Sequence, residues 1–404
     1  MQHSLFLRTR SPSKAPGRWR VAFGKGFRPF FLLAALFAVA IVPLWLLIIG
    51  GSVAPRPYLE PVAWHAHEMI FGFVAAVLAG FLLTAVGNWT ERETAVGVPL
   101  AVLSGLWLAG RVAMLVGNAL PRGLAAGVDL AFLPALLVLL GRPLLAAKAR
   151  RNLVMLAIVG ALFVANVAVH LDALGMLPPG SARRACRVSI DLITLVMLII
   201  AGRVFPMFTR NATDAKDVRS MPWLNASCLC GMAALAVVDA AFMPTPASAT
   251  LAGVVAVLAA ARTVRWGARY SLSQPLLWVL HVGYAWIVFG LALRALSGWV
   301  WPGFASLATH AVTVGAIGSL TLGMMARVAL GHTGRMLVAP APLASAFVAI
   351  NVAALARVVA PMLLPARYFE ALVTATAFWT AAFVVFLAVY ARMLLGPRVD
   401  GRPG

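Results

Sequence analysis

Apolar residues run through this chain in long blocks, not in the alternation of a strand or the single stripe of a surface helix. A block that is apolar on every face for about 20 residues can cross a bilayer as a helix. Twelve such blocks recur, at 30–50, 64–87, 96–117, 123–141, 152–176, 186–208, 222–243, 246–262, 275–297, 303–330, 337–364 and 368–395. The segments between them are too short for a separate soluble domain. The pattern therefore predicts an all-α integral membrane protein, a polytopic bundle of about 12 transmembrane helices. One transmembrane domain (30–395) lies between a basic N-terminal tail (1–29) and a short C-terminal tail (396–404).

Composition agrees with that reading. The chain is 62% hydrophobic and 11% charged, whereas a soluble domain carries about 25% charged residues. The net charge of +21 raises the question of nucleic acid, but its distribution excludes that partner. "RTRSPSKAPGRWRVAFGKGFR" places seven Lys or Arg before the first block. With that tail in the cytoplasm, most of the 33 basic residues fall on the inward loops and tails. This is the positive-inside asymmetry, and it puts both termini in the cytoplasm. One predicted outer loop, "GSARRACR" at 180–187, runs against it with three Arg. The first apolar run is too long for a signal peptide and has no small-residue cleavage site. Three cysteines make no disulfide framework, and CxxCH and Gly-rich phosphate loops are missing.

The ionisable residues inside the blocks then carry the interest. In the predicted orientation His65, His67, His170 and His310 sit in the outer third of the membrane. His281 and His332 sit toward the inner side, and His3 is in the tail. Glu68, Asp129, Asp172 and Asp191 also fall toward outer ends, as do Arg111, Arg294 and Arg357. Each acid or arginine taken singly fits an ion pair between helices. Six histidines in a lipid-embedded chain are many, and imidazole is the commonest side-chain metal ligand. His65, His67, His170, His281, His310 and His332 are therefore the metal-ligand candidates, and the set as a whole points to a functional site.

"WHAHEMIFGF" opens the second block with two histidines two residues apart. Pro61 suits the first turn of a helix, which makes both histidines helical and turns them about 200° apart. One then binds a metal or haem while the other meets a neighbour or a second metal. If the segment is extended instead, both fall on one side. On the face of His65, Gly72 and Ala76 either leave room for a flat macrocycle or admit a neighbouring helix closely. In the tenth block Gly315, Ser319 and Gly323 form a stripe of small residues that lets another helix approach. His310 lies just above that stripe and is the first candidate for a ligand opposite His65 or His67. At its inner end, His332 also suits a helix C-terminus, where a cation is favoured. "CLCGM", Cys228 to Met232, reads as structural, since CxC on a helix points its sulfurs to different faces.

"GFRPFFLLA", "WHAHEMIFGF", "GFLLTAVGNWT", "RVFPMFT" and "HAVTVGAIGSLTLGMMARVALGHTGR" together resemble the NnrS family. Their order and spacing cover most of the chain. Gly87 in "AVGNWT" stands where the family often has proline. The resemblance implies a multi-pass bacterial inner-membrane protein of denitrification and nitric oxide stress. It implies non-covalent b-type haem and copper as cofactors, and nitric oxide or another small diatomic as ligand. Membrane lipid and a membrane or periplasmic electron donor follow as partners. In that setting His65, His67 and His310 are expected to hold the cofactor, and Arg111, Arg294 and Arg357 to pair with haem propionates. Twelve spans also suit a secondary or copper transporter, although the halves show no repeat and "NWTERET" lacks an Asp-Arg-Gly pattern. A haem-dependent nitric oxide oxidoreductase is the third class.

Overall fold

The computed structural model describes residues 17–53, 59–213, 215–242 and 245–402. His3 and the first part of the basic tail lie outside the described residues. Every one of the twelve apolar blocks is a helix: α1 (Phe27–Ile49), α2 (Pro61–Thr90), α3 (Val98–Leu115), α4 (Gly123–Ala146), α5 (Arg150–Ala173), α6 (Ser181–Thr213), α7 (Pro222–Ala241), α8 (Pro246–Thr263), α9 (Pro275–Trp299), α10 (Phe304–His332), α11 (Leu343–Leu363) and α12 (Pro365–Leu395). A helical turn, Arg18–Ala22, precedes α1. The described residues contain no strand. In a medium without water every backbone group must be satisfied within its own helix, which is why apolar blocks of this length adopt this one element.

Neighbours in sequence mostly pack as neighbours in space. α1 rests on α2 and α12, and α12 on α11; α8 lies against α7 and α9, and α6 against α5 and α7. Two helices run through the middle of this arrangement. Of the apolar window of α2, 83% is buried inside the protein, and of α10, 72%, against 28% for α12. The two helices that carry His65, His67 and His310 are thus the least exposed to lipid.

Local chemistry sets the helix starts. Glu60 accepts a hydrogen bond from the Ala63 N–H at 3.0 Å while Pro61 takes the first helical position, so the helix begins before His65 and both histidines are helical. "GSARRACR" proves not to be a loop: Arg183, Arg184 and Arg187 lie in the first turns of α6. The Asp172 carboxylate accepts the Ala182 N–H at 2.7 Å there, satisfying an amide that the helix leaves without a partner.

The small-residue stripe of α10 is a contact with α9. A Cβ added at Gly315 would run into the Trp286 ring, and one at Gly323 would meet Val279 at 2.8 Å. Gly283 and Gly290 answer from α9, facing Leu320 and Val312. Trp286 then reaches past α10 to donate to Asn351 Oδ1 on α11 at 2.9 Å. Three helices are held together at one level by close backbone approach and the Trp286–Asn351 hydrogen bond.

Candidate functional site

α2 and α10 share an irregularity. Over Glu68–Val74 and over Ala311–Gly318 the helix widens into π-helical turns, each beginning within a residue of a histidine. Such turns are rare and concentrate at functional sites. In α2 the widened segment has a partner: Trp107 on α3 donates from Nε1 to Gly72 O at 3.0 Å. The rephased helix directs His65, Ala66, Met69 and Ile70 to one side. His67 and Glu68 turn to the other, and Phe71 stays against His67 at 5.0 Å between ring centroids.

On the first side is a cavity of about 540 Å³, walled by α1, α2, α10, α11 and α12 with one residue, Ile190, from α6. His65 and His310 both line it, as do Arg357, Trp45 and Tyr368. The His65 ring stacks on the Trp45 indole, with centroids 4.5 Å apart and planes 10° from parallel. His310 Nδ1 lies 2.8 Å from Ser306 O, one turn back on its own helix. That contact requires an N–H at Nδ1 and makes Nε2 the accepting nitrogen, turned toward Arg357. Arg357 sits 3.2 Å from His310 Nε2, and its own Nη1 is buried without a partner among the described residues. The cavity therefore presents two imidazoles and a guanidinium, with no carboxylate in its lining among the described residues.

On the second side is a closed polar cluster. Arg111 on α3 donates to Glu68 Oε1 at 2.5 Å and to Asp129 Oδ1. Asp129 Oδ2 on α4 takes the Asn166 amide at 2.9 Å and lies 3.0 Å from His170 Nε2 and 3.2 Å from His67 Nε2. His67 Nδ1 is 3.0 Å from Glu68 Oε1. His67, Asp129 and His170 each offer one ligand atom, and these atoms lie within 4.8 Å of one another. All six side chains are buried. Two carboxylates facing one guanidinium leave one negative charge to be balanced by a proton on an imidazole or by a cation.

The remaining sequence candidates lie elsewhere. Arg294 bridges Asp191 at 2.8 Å and Asp239, tying α9 to α6 and α7. Toward the opposite end of the bundle, His281 lies 3.4 Å from Thr209 Oγ1 and His332 3.5 Å from the Asn88 amide. Arg111 belongs to the polar cluster and not to the cavity. Gly72 leaves no room for a macrocycle, because a Cβ there would meet Phe37 at 2.7 Å and Arg111 at 3.1 Å. Asn166 and Trp45 were not singled out from sequence. Asn166 stands one helical turn before His170, on the same face of α5, and that spacing was the available signal.

Beyond the cavity an apolar groove continues along α2, α6 and α10. Val74, Ile193 and Ile317 line it, each three or four residues past Ile70, Ile190 and Val314 of the cavity wall. Groove and cavity therefore follow one another along the same three helices.

Fold and geometry define a multi-pass helical membrane protein whose second helix serves a different polar site on each face. A model of the family described as "NnrS protein" matches residues 21–398, nearly the whole length. The chain belongs to the NnrS family. No curated protein matches it.

Proposed function

We propose that this protein binds haem in the cavity between His65 and His310 and copper at His67, Asp129 and His170. In the bacterial inner membrane it then acts in the response to, and protection from, nitric oxide. The observation that carries the reading is the cavity: imidazoles from two helices converge on it beside a guanidinium whose Nη1 lacks a partner. Its volume, about 540 Å³, falls within the 300–1,000 Å³ range of small-molecule and cofactor sites. A buried Arg357 with no acid beside it among the described residues calls for an anion, and a porphyrin carboxylate answers that need in the bidentate geometry guanidinium favours. The hydrogen bond from Nδ1 of His310 to Ser306 O is the usual device for fixing a ligand imidazole.

The second cluster supports a cation by its charge. Two imidazoles and a carboxylate form a donor set that accepts divalent first-row metals, copper(II) among them. Asp129 already has its Oδ1 held by Arg111, so Oδ2 is the oxygen that would face the ion. When bound, ferrous haem would supply a centre that binds a small diatomic ligand. The protein's own residues orient the rings, exclude water through the apolar lining and leave an apolar approach along the groove.

The test is spectroscopic. Protein purified from haem- and copper-supplemented cells is expected to show reduced-minus-oxidised haem bands that shift on addition of nitric oxide. Elemental analysis is expected to find copper as well. Protein that is folded yet free of haem absorbance would remove the proposal.

A further inference from the structure

Three of the motifs that mark this chain meet at the end of the bundle from which residues 17 and 402 emerge, far from both histidine sites. Arg28 comes from "GFRPFFLLA", Asn88 from "GFLLTAVGNWT", and His332 and Arg335 from "GHTGR". Asn88 lies 3.5 Å from His332 Nε2, and the Phe27 and His332 rings are 5.6 Å apart. Arg398 donates to His332 O at 2.9 Å, closing the C-terminal segment over them.

Positive charge is in excess here. Arg335 and Arg398 are both near enough to act electrostatically on Arg28, and Arg398 and Arg28 on Lys25. Burial, with the charges of Arg398 and Arg28 beside it, pushes the Lys25 ammonium down from its ordinary value, while Glu93 opposes the shift. Arg398 is matched by Asp400 through two contacts, at 2.8 and 2.5 Å. After those two acids, Arg28 and Arg335 remain.

Neither guanidinium is satisfied. Arg28 is 1% exposed, and only its Nη1 has partners, the carbonyls of Leu394 and Gly396 at 2.8 and 2.7 Å. Its Nε and Nη2, and Nη1 of Arg335, are buried with no partner among the described residues. Buried charge without a counter-charge is costly, and like charges within electrostatic reach of one another add repulsion. A polar pocket of about 200 Å³, lined by Lys25, Asn88, Arg92 and Thr94 with Glu91 and Glu93 on its wall, lies at the same end of the bundle.

We propose that Arg28 and Arg335, with Lys25 beside them, hold a phosphate-type oxyanion at this end of the bundle. Such a group matches two guanidinium forks in shape and offers the negative charge they lack. Arg28 is the second residue of α1 and Arg335 the third beyond α10, the level at which lipid phosphates lie. The anion is therefore either a phospholipid headgroup or a free phosphate.

Melting the full-length protein in neutral detergent, at constant ionic strength, separates the two sources. In one arm inorganic phosphate replaces chloride; in the other phosphatidylglycerol replaces phosphatidylcholine. An anion that binds only the folded state raises the melting temperature with its concentration. A rise with inorganic phosphate identifies a soluble anion, and a rise with phosphatidylglycerol alone identifies a headgroup. Arg335→Gln is expected to weaken the responding ligand about tenfold, one charge-assisted hydrogen bond's worth, and Arg335→Lys to retain part of the response. No rise in either arm with the unaltered protein overturns the proposal, as does an Arg335→Gln variant that responds like it.

Discussion

His65 and His67 stand two residues apart on α2 and face different sites. His65 lines the cavity against Trp45, and His67 is enclosed with Asp129 and His170. A regular helix already separates such a pair by about 200°, and the π-helical turns that begin at Glu68 carry Glu68 round to the side of His67. One helix thereby contributes to two polar sites of different make-up: a cavity lined by a guanidinium, and a cluster in which two carboxylates meet one guanidinium.

Arg357 is the only guanidinium that lines the cavity among the described residues. Arg357→Gln is expected to keep the fold and to weaken haem retention by roughly tenfold or more, the scale of one charge-assisted interaction. Arg357→Lys is expected to recover only part, because an ammonium lacks the planar fork. Haem-to-protein ratios after repeated washing in detergent measure this. Full retention in Arg357→Gln would show that the guanidinium has another role.

Asp129 and Arg111 depend on each other. Removing one partner of a buried ion pair strands the other, at a cost of about 3–5 kcal/mol. Asp129→Asn and Arg111→Gln should each lower the melting temperature sharply. The double variant should lose less than the two separate losses added together, since it leaves neither charge stranded. Additive losses would mean that the two side chains act independently.

Gly315 sets how closely α9 and α10 approach. Gly315→Leu forces a side chain into the Trp286 ring, and overpacking of this kind costs about 1–3 kcal/mol. The expected outcome is a lower melting temperature and a disturbed Trp286 environment in fluorescence. An unchanged melting temperature would show that the helices separate freely there.

Much of this arrangement can be read from the residues. The twelve apolar blocks became twelve helices because lipid offers backbone polar groups no other partner. Gly315, Ser319 and Gly323 announce a close helix contact, and Pro61 announces a helical start before His65. What cannot be read is partner choice across helices. Nothing local to Arg111 says that it meets Glu68 and Asp129, or local to Arg294 that it meets Asp191 and Asp239. Nor does hydropathy register a π-helical turn, which changes hydrogen-bond spacing and not composition. The Arg residues of "GSARRACR" read as a loop because charge ordinarily ends a span. Here Asp172 caps the helix that contains them.

The apolar groove along α2, α6 and α10 yields a kinetic prediction. If small apolar ligands enter through it, Val74→Trp or Ile317→Trp should slow carbon monoxide rebinding to the reduced protein after flash photolysis. The haem spectrum itself should not move, because neither residue lines the cavity. Unaltered rebinding in both variants would place the entry route elsewhere.

The separation of the two sites is tested most directly by measuring haem and copper together in four single variants. His65→Ala and His310→Ala are expected to lose haem and retain copper, while His67→Ala and His170→Ala lose copper and retain haem. Loss of both cofactors together in every variant, or loss of neither, would contradict the assignment of two separate sites to the two faces of one helix.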